Sequence, residues 1–389
     1  MYRKFTAQTI FDGFKILPPN TVLITSPTGT IIDIVNKANA GDDIEYIPGM
    51  LCPGFINAHC HTELSHLKGK IPTGTGLVNF VQQVIRNRFL YSAQEKITAA
   101  QAAITEMVQG GIVAVGDICN TSDTATIKND NTLLWHNFIE ISGFNPTDAI
   151  KKIAEATLIA QALGYANTSI SPHAPYSVSN ALFTQINNAT ANKIISIHNQ
   201  ECAAEDDLYK NKSGTLLNLY KNLGINIDFF TATNTTSLQS FLPFITAQQQ
   251  LILVHNTYST QQDIEAANNS IALQQIKAIF YCLCINANIY IEQKNPPIQL
   301  LMHNNCNIVL GTDSYASNHA LSIANEIKAI QMQTNNSIPL TIILQWATSN
   351  GAKALQLFNV LGSFEKGKTP GIISLQIQEN ILQSVARIL

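Results

Sequence analysis

Short apolar runs alternate with longer amphipathic segments from about residue 51 to residue 357. The short runs have the length of buried strands, whereas the longer segments repeat apolar positions at helical spacing. Eight strands separated by helices over roughly 250 residues predict an α/β fold, a (β/α)8 TIM-like barrel. The connection at 214–246 is longer than a barrel requires, so we expect it to carry lid or substrate-contact structure. The predicted barrel strands span residues 51–56, 112–117, 135–141, 168–173, 194–198, 251–255, 279–284 and 308–313.

The two ends of the chain show a different pattern, in which strand-like runs are interrupted by glycine and proline. These runs span residues 6–11, 21–25, 30–35, 43–46 and 372–378. We expect both ends to pair in one small composite β-sandwich domain. Its parts are predicted at 1–52 and 359–389, around a barrel domain at 53–358.

Composition narrows the classes of partner. The 389 residues are 46% apolar and carry a formal net charge of −3, which predicts a globular protein without a basic footprint for nucleic acid or an anionic membrane. A small molecule is the expected partner. The N-terminal residues lack the apolar core of a secretory signal, and no apolar run is long enough for a bilayer, so a cytoplasmic location is expected. Seven cysteines without a repeating frame are expected to be reduced.

Titratable side chains collect at the predicted C-terminal ends of the barrel strands, the face where such barrels hold their active sites. Two of them, His59 and His61, are separated by one residue and therefore point to the same face of a strand, where both can reach one ion. Glu201 follows three residues after His198 and could face a reactant, or it could be an acid near a helix N-terminus. The strand-end set is His59, His61, His173, His198, His255 and Asp313.

This ordered set resembles the amidohydrolase superfamily, and within it the branch of mononuclear-metal aminohydrolases and chlorohydrolases. The surrounding motifs at 53–59, 172–177, 254–256 and 311–318 agree, and the resemblance covers nearly the whole chain. It implies that one divalent ion, Zn²⁺ or alternatively Fe²⁺, is bound by a set of three imidazoles and one carboxylate. No lysine ends the fourth strand, where binuclear relatives carry a bridging lysine. The implied ligands are His59, His61, His198 and Asp313.

The resemblance also implies catalytic roles. Asp313 would accept a proton from a water activated by the ion, His255 would orient that water, and Glu201 would protonate a ring nitrogen and then the leaving amine. The predicted function is a deaminase that converts an amino-substituted purine-type ring to its oxo form with release of ammonia. The motifs look most like 6-aminodeoxyfutalosine deaminases of menaquinone synthesis, with S-adenosylhomocysteine and adenosine deaminases as near neighbours. Such relatives are commonly homodimers.

Four further residues are candidate substrate contacts. His173 is placed near the ligand by the resemblance, or it hydrogen-bonds to the loop that follows. Glu63 could meet a ribose hydroxyl or form a local salt bridge. Arg86 and Arg88 could bind a substrate carboxylate or lie on a solvated helix face.

Two other functions stay open from the sequence. The same site could serve a chlorohydrolase or a cyclic amidase acting on another heterocycle. A non-catalytic binding protein on this scaffold is the more distant alternative, because such members usually lose metal ligands and none is missing here.

Overall fold

The computed structural model describes residues 2–129 and 132–389. Strands occur at both chain ends and alternate with helices in between. The strands are β1 (Arg3–Ile10), β2 (Thr21–Thr25), β3 (Ile31–Asn36), β4 (Glu45–Pro53), β5 (Phe55–Cys60), β6 (Ile112–Cys119), β7 (Leu134–Ile141), β8 (Thr168–Pro172), β9 (Ile194–Asn199), β10 (Gln250–His255), β11 (Ala278–Leu283), β12 (Asn307–Leu310), β13 (Ile372–Gln378) and β14 (Ile381–Arg387).

Helices fill most of the connections between barrel strands. The α-helices are α1 (Leu77–Asn87), α2 (Ala93–Gln109), α3 (Ala125–Asn129), α4 (Ala149–Leu163), α5 (Asn180–Ala189), α6 (Ala203–Asn211), α7 (Leu216–Asn222), α8 (Ser237–Phe241), α9 (Gln261–Leu273), α10 (Ile285–Glu292), α11 (Ile298–His303), α12 (Ile323–Gln333), α13 (Leu340–Gln345) and α14 (Gly351–Ala354). A π-helical turn at Trp346–Asn350 joins the last two, so residues 340–354 form a continuous but irregular helical path.

Strands β5 to β12 form a barrel from two four-stranded parallel sheets, ordered β5-β6-β7-β8 and β9-β10-β11-β12. The sheets meet at two seams. At one seam the His198 amide donates to the His173 carbonyl oxygen at 2.9 Å, and at the other the Thr312 amide donates to the His59 carbonyl oxygen at 3.0 Å. Strands β5, β6, β9 and β10 are buried along their whole length, as expected when helices cover a parallel sheet. The predicted TIM-like barrel is confirmed.

The first barrel strand begins later than the prediction of 51–56. The apolar run is divided between β4, which ends at Pro53, and β5, which begins at Phe55. Proline has no amide hydrogen to continue a sheet ladder, and the Gly54 amide donates to the Pro370 carbonyl oxygen instead. The run appeared continuous in the sequence because residues on both sides of this break are buried. The shift places His59 inside β5 and His61 directly after it.

Both chain ends build the β domain, as predicted. Its strands are joined by hydrogen bonds into one mixed sheet with the order β14-β13-β4-β1-β2-β3. The core of this domain includes Phe5, Leu23, Leu51, Phe364 and Ile372, which come from both ends of the sequence. The chain passes from this sheet to the barrel at Pro53 to Phe55, and the domain boundaries given above stay a prediction.

The long connection between β9 and β10 contains α7 and α8 and covers part of the barrel mouth. All seven cysteines are free thiols, in agreement with the expected reduced state. In residues 2–129 and 132–389, no helix has the length and apolar character needed to cross a membrane.

Candidate active site

Four buried side chains converge at the C-terminal end of the barrel. The Nε2 atom of His61 lies 3.2 Å from His59 Nε2, 3.3 Å from His198 Nε2 and 3.3 Å from Asp313 Oδ1. The ligand atoms of all four residues lie within 4.8 Å of one another. Burial lowers the pKa of His59 to about 3, which favours the neutral imidazole that binds metal ions. Three imidazoles and one carboxylate at these distances fit a single divalent ion.

Hydrogen bonds on the far side of two of these residues fix their orientation. The Nδ1 group of His198 donates to the His173 carbonyl oxygen at 2.8 Å, which leaves Nε2 free to face the other three side chains. The Ser317 hydroxyl donates to Asp313 Oδ2 at 2.5 Å, which leaves Oδ1 facing the histidines. Such outer contacts set the tautomer and direction of metal ligands. His198 and Asp313 are therefore held in place by contacts within the protein.

Asn57 and Gly311 hold the segment that carries Asp313 against β5. The Asn57 side chain accepts a hydrogen bond from the Thr312 amide at 3.1 Å and donates to the Thr312 hydroxyl at 2.8 Å. A Cβ atom on Gly311 would lie 2.8 Å from His59 Cβ, so only glycine allows this close approach. Asp313 itself has φ = 57°, in the left-handed region. The eighth strand end is thus fixed beside the first.

His255 and Glu201 face the metal-ligand cluster from the neighbouring strand ends. The Nδ1 group of His255 donates to Asn288 Oδ1 at 2.7 Å. Its Nε2 atom is buried, has no hydrogen-bond partner and lies 3.5 Å from Glu201 Oε1. Burial raises the pKa of Glu201 to about 8 and lowers that of His255. The site therefore presents a carboxyl group that is protonated at neutral pH beside a neutral imidazole.

The backbone near these two residues adopts strained conformations. His255 has φ = 75° and Asn256 has φ = 56°, and residues other than glycine rarely occupy this region. Each such residue costs about 1–3 kcal/mol. Behind Glu201, the buried Glu205 carboxylate accepts hydrogen bonds from the Glu201 amide at 2.7 Å and the Gln200 amide at 3.1 Å. These contacts hold the Glu201 backbone in place.

A cavity of about 400 Å³ opens from the cluster toward solvent. Its inner end is formed by the polar strand-end side chains described above. Its outer part is largely apolar, and the ring of Phe144 stacks on that of Tyr220 at a centroid distance of 5.0 Å. A few polar groups at one end of an apolar cavity are typical of small-molecule sites. The apolar lining includes Leu77, Phe80 and Val84 from α1, Leu219 and Tyr220 from α7, and Phe144.

Two of the predicted substrate contacts have local partners. His173 lines the cavity, and its Nδ1 atom lies 2.7 Å from the Ser177 hydroxyl in the loop that follows. Glu63 does not line the cavity. Its Oε1 accepts from Arg88 Nη2 at 3.1 Å, and its Oε2 accepts from the amides of Asn120 at 3.0 Å and Thr121 at 3.2 Å. The structure thus favours a local salt bridge for Glu63 over a ribose contact.

The two arginines of α1 and its C-terminus occupy different positions. Arg88 lines the cavity, and it contacts Glu63 and Asn120. Arg86 is exposed to solvent and does not line the cavity. Residues that are two positions apart, such as Arg86 and Arg88, lie on almost opposite faces of a helix. Of the two alternatives for Arg86, the structure supports the solvated helix face over a contact with a substrate carboxylate.

Residues 50–387 match the sequence profile of the Amidohydrolase family. The chain belongs to this family. A 5-methylthioadenosine/S-adenosylhomocysteine deaminase of Saccharophagus degradans is 26% identical over 372 residues, which cover 89% of this amidohydrolase and 77% of the relative. An adenosine deaminase of Helicobacter pylori is 25% identical over 346 residues, with coverage of 82% and 77%.

Solved structures share the fold of this amidohydrolase. The aminofutalosine deaminase of Helicobacter pylori, in complex with methylthio-coformycin, superposes with a TM-score of 0.79 at 18% identity and covers 100% of both chains. The atrazine chlorohydrolase of Arthrobacter aurescens, complexed with zinc, has a TM-score of 0.71 at 13% identity, with coverage of 95% and 86%. The family and fold predicted from the sequence are therefore confirmed, as is a hydrolase that acts on C–N bonds.

Several polar residues of the amidohydrolase site were not assigned a role from the sequence. Asn57, Asn288 and Asn120 position other side chains, and Glu140 lines the cavity. Glu140 could have been predicted as a site residue, since it lies near the C-terminal end of a predicted barrel strand, as the histidines do. The three asparagines could not have been predicted, because their roles depend on partners that are distant in sequence.

Proposed function

We propose that this amidohydrolase is a metal-dependent deaminase of an adenine-type nucleoside. The observation that carries the proposal is the pair formed by Glu201 and His255, which faces the cluster of metal ligands across the cavity floor. A deaminase needs a proton donor for the ring nitrogen and the leaving amine, and a carboxyl group whose pKa is raised to about 8 meets that need. The names of the relatives, both adenosine-type deaminases, support the same reaction.

The residues suited to hold the ion are His59, His61, His198 and Asp313. We propose Zn²⁺, with Fe²⁺ as the alternative, because both accept imidazole and carboxylate donors. When bound, such an ion supplies a Lewis acid that makes water a nucleophile near neutral pH.

The side chains around the ion site divide the proton transfers between them. Asp313 accepts a proton from the attacking water at its carboxylate. His255 orients the same water through Nε2, because Nδ1 is occupied by Asn288. Glu201 donates its proton to the ring nitrogen. Its carboxylate then takes the proton of the hydroxyl group that has added to the ring carbon and passes it to the amine, which leaves as ammonia while the hydroxyl group becomes the oxo group. The large apolar wall suits a nucleoside whose 5′ substituent is apolar.

The test is a screen of zinc-loaded protein against 6-aminodeoxyfutalosine, 5′-methylthioadenosine, 5′-deoxyadenosine, S-adenosylhomocysteine, adenosine, adenine, guanine and atrazine. Absorbance change and ammonia release are measured, with Asp313→Asn as the inactive control. We expect ammonia from adenine nucleosides with apolar 5′ substituents. Protein that retains one zinc ion and releases no ammonia from any nucleoside would overturn the proposal, and chloride release from atrazine would indicate a chlorohydrolase. A homodimer and a cytoplasmic location stay predictions.

A further inference from the structure

Glu140 is a buried carboxylate in the cavity wall with one unused oxygen. It lies near the end of β7, is 9% exposed, and lines the cavity. Its Oε1 accepts a hydrogen bond from Asn120 Nδ2 at 2.9 Å, whereas its buried Oε2 has no hydrogen-bond partner. The nearest basic atom, His198 Nδ1 at 3.5 Å, already donates to the His173 carbonyl oxygen at 2.8 Å. A buried acceptor left without a donor is costly, so Oε2 is suited to a donor on the ligand.

Glu140 and Glu63 belong to one polar network, but they differ in whether a carboxylate oxygen lacks a hydrogen-bond donor. Arg88 donates to Glu63 Oε1 at 3.1 Å and to Asn120 Oδ1 at 3.3 Å, and Asn120 in turn donates to Glu140. Both oxygens of Glu63 accept hydrogen bonds inside this network, and Glu63 does not line the cavity. Of these two carboxylates, Glu140 lines the cavity, and the hydrogen bond from Asn120 to Oε1 leaves Oε2 as its unpaired oxygen.

The ligand group that meets Oε2 must be a hydrogen-bond donor, because a carboxylate only accepts. When the amino group of an adenine ring lies at the metal ligands, the remaining ring nitrogens N3 and N7 are acceptors and cannot serve Glu140. The hydroxyl groups of an attached sugar can. A second cation is a poorer occupant, although Glu140, His173 and His198 offer atoms within 4.8 Å of one another, since His198 Nδ1 is already a hydrogen-bond donor.

We propose that Glu140 binds a ribose hydroxyl of the substrate and thereby selects nucleosides over free bases. The inference rests on the proposed deaminase function and names the substrate contact of that same site. Glu140 is a binding residue in this role and takes no part in the proton transfers.

The test combines one substitution with one change in the substrate. In Glu140→Gln, Asn120 Nδ2 holds the amide oxygen, so the amide nitrogen replaces Oε2 and presents a donor where the hydroxyl needs an acceptor. For 5′-deoxyadenosine we expect kcat/KM to fall about 10- to 100-fold, the range for a hydrogen bond to a charged group. For 2′,3′,5′-trideoxyadenosine, which lacks the hydroxyls, we expect a change of less than about 3-fold. Asp148→Asn removes another carboxylate of the cavity lining outside this network and should leave the ratio between the two substrates unchanged.

Zinc content and binding of the reaction products separate the other outcomes. Equal losses for both substrates, or loss of zinc in Glu140→Gln, would show that Glu140 acts through His198 and would overturn the inference. If the wild type releases ammonia from none of the nucleosides of the screen, the proposed function fails. Calorimetry with the products 5′-deoxyinosine and 2′,3′,5′-trideoxyinosine then tests the inference without turnover. Glu140→Gln must weaken the binding of 5′-deoxyinosine by about 10- to 100-fold and leave the binding of 2′,3′,5′-trideoxyinosine unchanged.

Discussion

The inner and outer parts of the cavity are built in different ways. The side chains of the inner end lie at the C-terminal ends of barrel strands or a few residues beyond them. Several are oriented by a contact from a neighbouring strand or loop, as His198 is by His173 and His255 by Asn288. The outer part comes from the connecting segments, chiefly α1 and α7, and is mostly apolar. Strand ends fix the chemistry, whereas connections fix which molecule reaches it.

This difference leads to a rule that can be tested by substitution. Changes at the inner end should act mainly on kcat, because they touch groups that transfer protons or hold the ion. Changes at the outer wall should act mainly on KM, because they touch groups that bind the substrate uniformly. The following variants examine both halves of the rule, in order of decreasing effect.

Asp313→Asn should lower kcat by about 10⁴-fold, the upper end of the range for loss of an acid or base, because a metal ligand is lost with the proton acceptor. Steady-state kinetics and zinc analysis check this result. Ser317→Ala is the matched control, since it removes only the hydrogen bond to Oδ2 and should cost about 10-fold. Retention of activity within 10-fold in Asp313→Asn would refute its role.

Glu201→Gln should lower kcat by about 10³-fold, because the amide cannot donate a proton to the ring nitrogen. The pH profile gives an independent check. A general acid acts in its protonated form, so wild-type kcat/KM should be constant below a pKa of about 8 and fall tenfold per pH unit above it. A profile that stays flat to pH 9.5 would exclude Glu201 as the proton donor.

Asn288→Ala should lower kcat by about 10- to 100-fold with little change in KM, because His255 loses the acceptor that fixes its tautomer. Kinetics on the nucleoside substrate measure the effect, and Asn288→Asp, which keeps an acceptor, should restore most of it. A change confined to KM would place His255 in substrate binding.

Arg88→Ala should raise KM by about 10-fold, because Arg88 lines the cavity and its loss leaves the Glu63 carboxylate without its cation. Arg86→Ala is the matched control on the same helix and should change KM by less than about 2-fold, since it is exposed. Equal effects in both variants would contradict the division between the two arginines.

The barrel and the metal-ligand cluster at the inner end of the cavity could be predicted from the sequence for a physical reason. Parallel strands buried on both faces give short apolar runs, and polar residues at their C-terminal ends must meet on one face of the barrel. His59, His61, His198, His255 and Asp313 were found in this way, and the structure brings all five together. The error at the first strand moved both its start and its end by four residues, from 51–56 to Phe55–Cys60. It did not affect the two histidines, because His59 and His61 still lie at the C-terminal end of this strand.

The outer wall was less predictable, because its side chains choose among several partners. For Glu63 the sequence left a ribose contact and a local salt bridge open, and in the structure Arg88, Asn120 and Thr121 occupy both of its oxygens. The division between the arginines could have been predicted, since Arg88 follows Val84 by four residues and continues the apolar face of α1.

The composite β domain has a consequence for the order in which the chain folds. The Ser374 hydroxyl in β13 donates to the Pro48 carbonyl oxygen in β4, across 326 residues of sequence. Strand β4 leads directly into β5, which carries His59. As the chain is synthesised, β4 therefore keeps one open edge until the whole barrel has been made, and such edges pair readily with other chains. Loss of β13 and β14 would leave this edge open permanently, two residues before the strand on which the ion site is built.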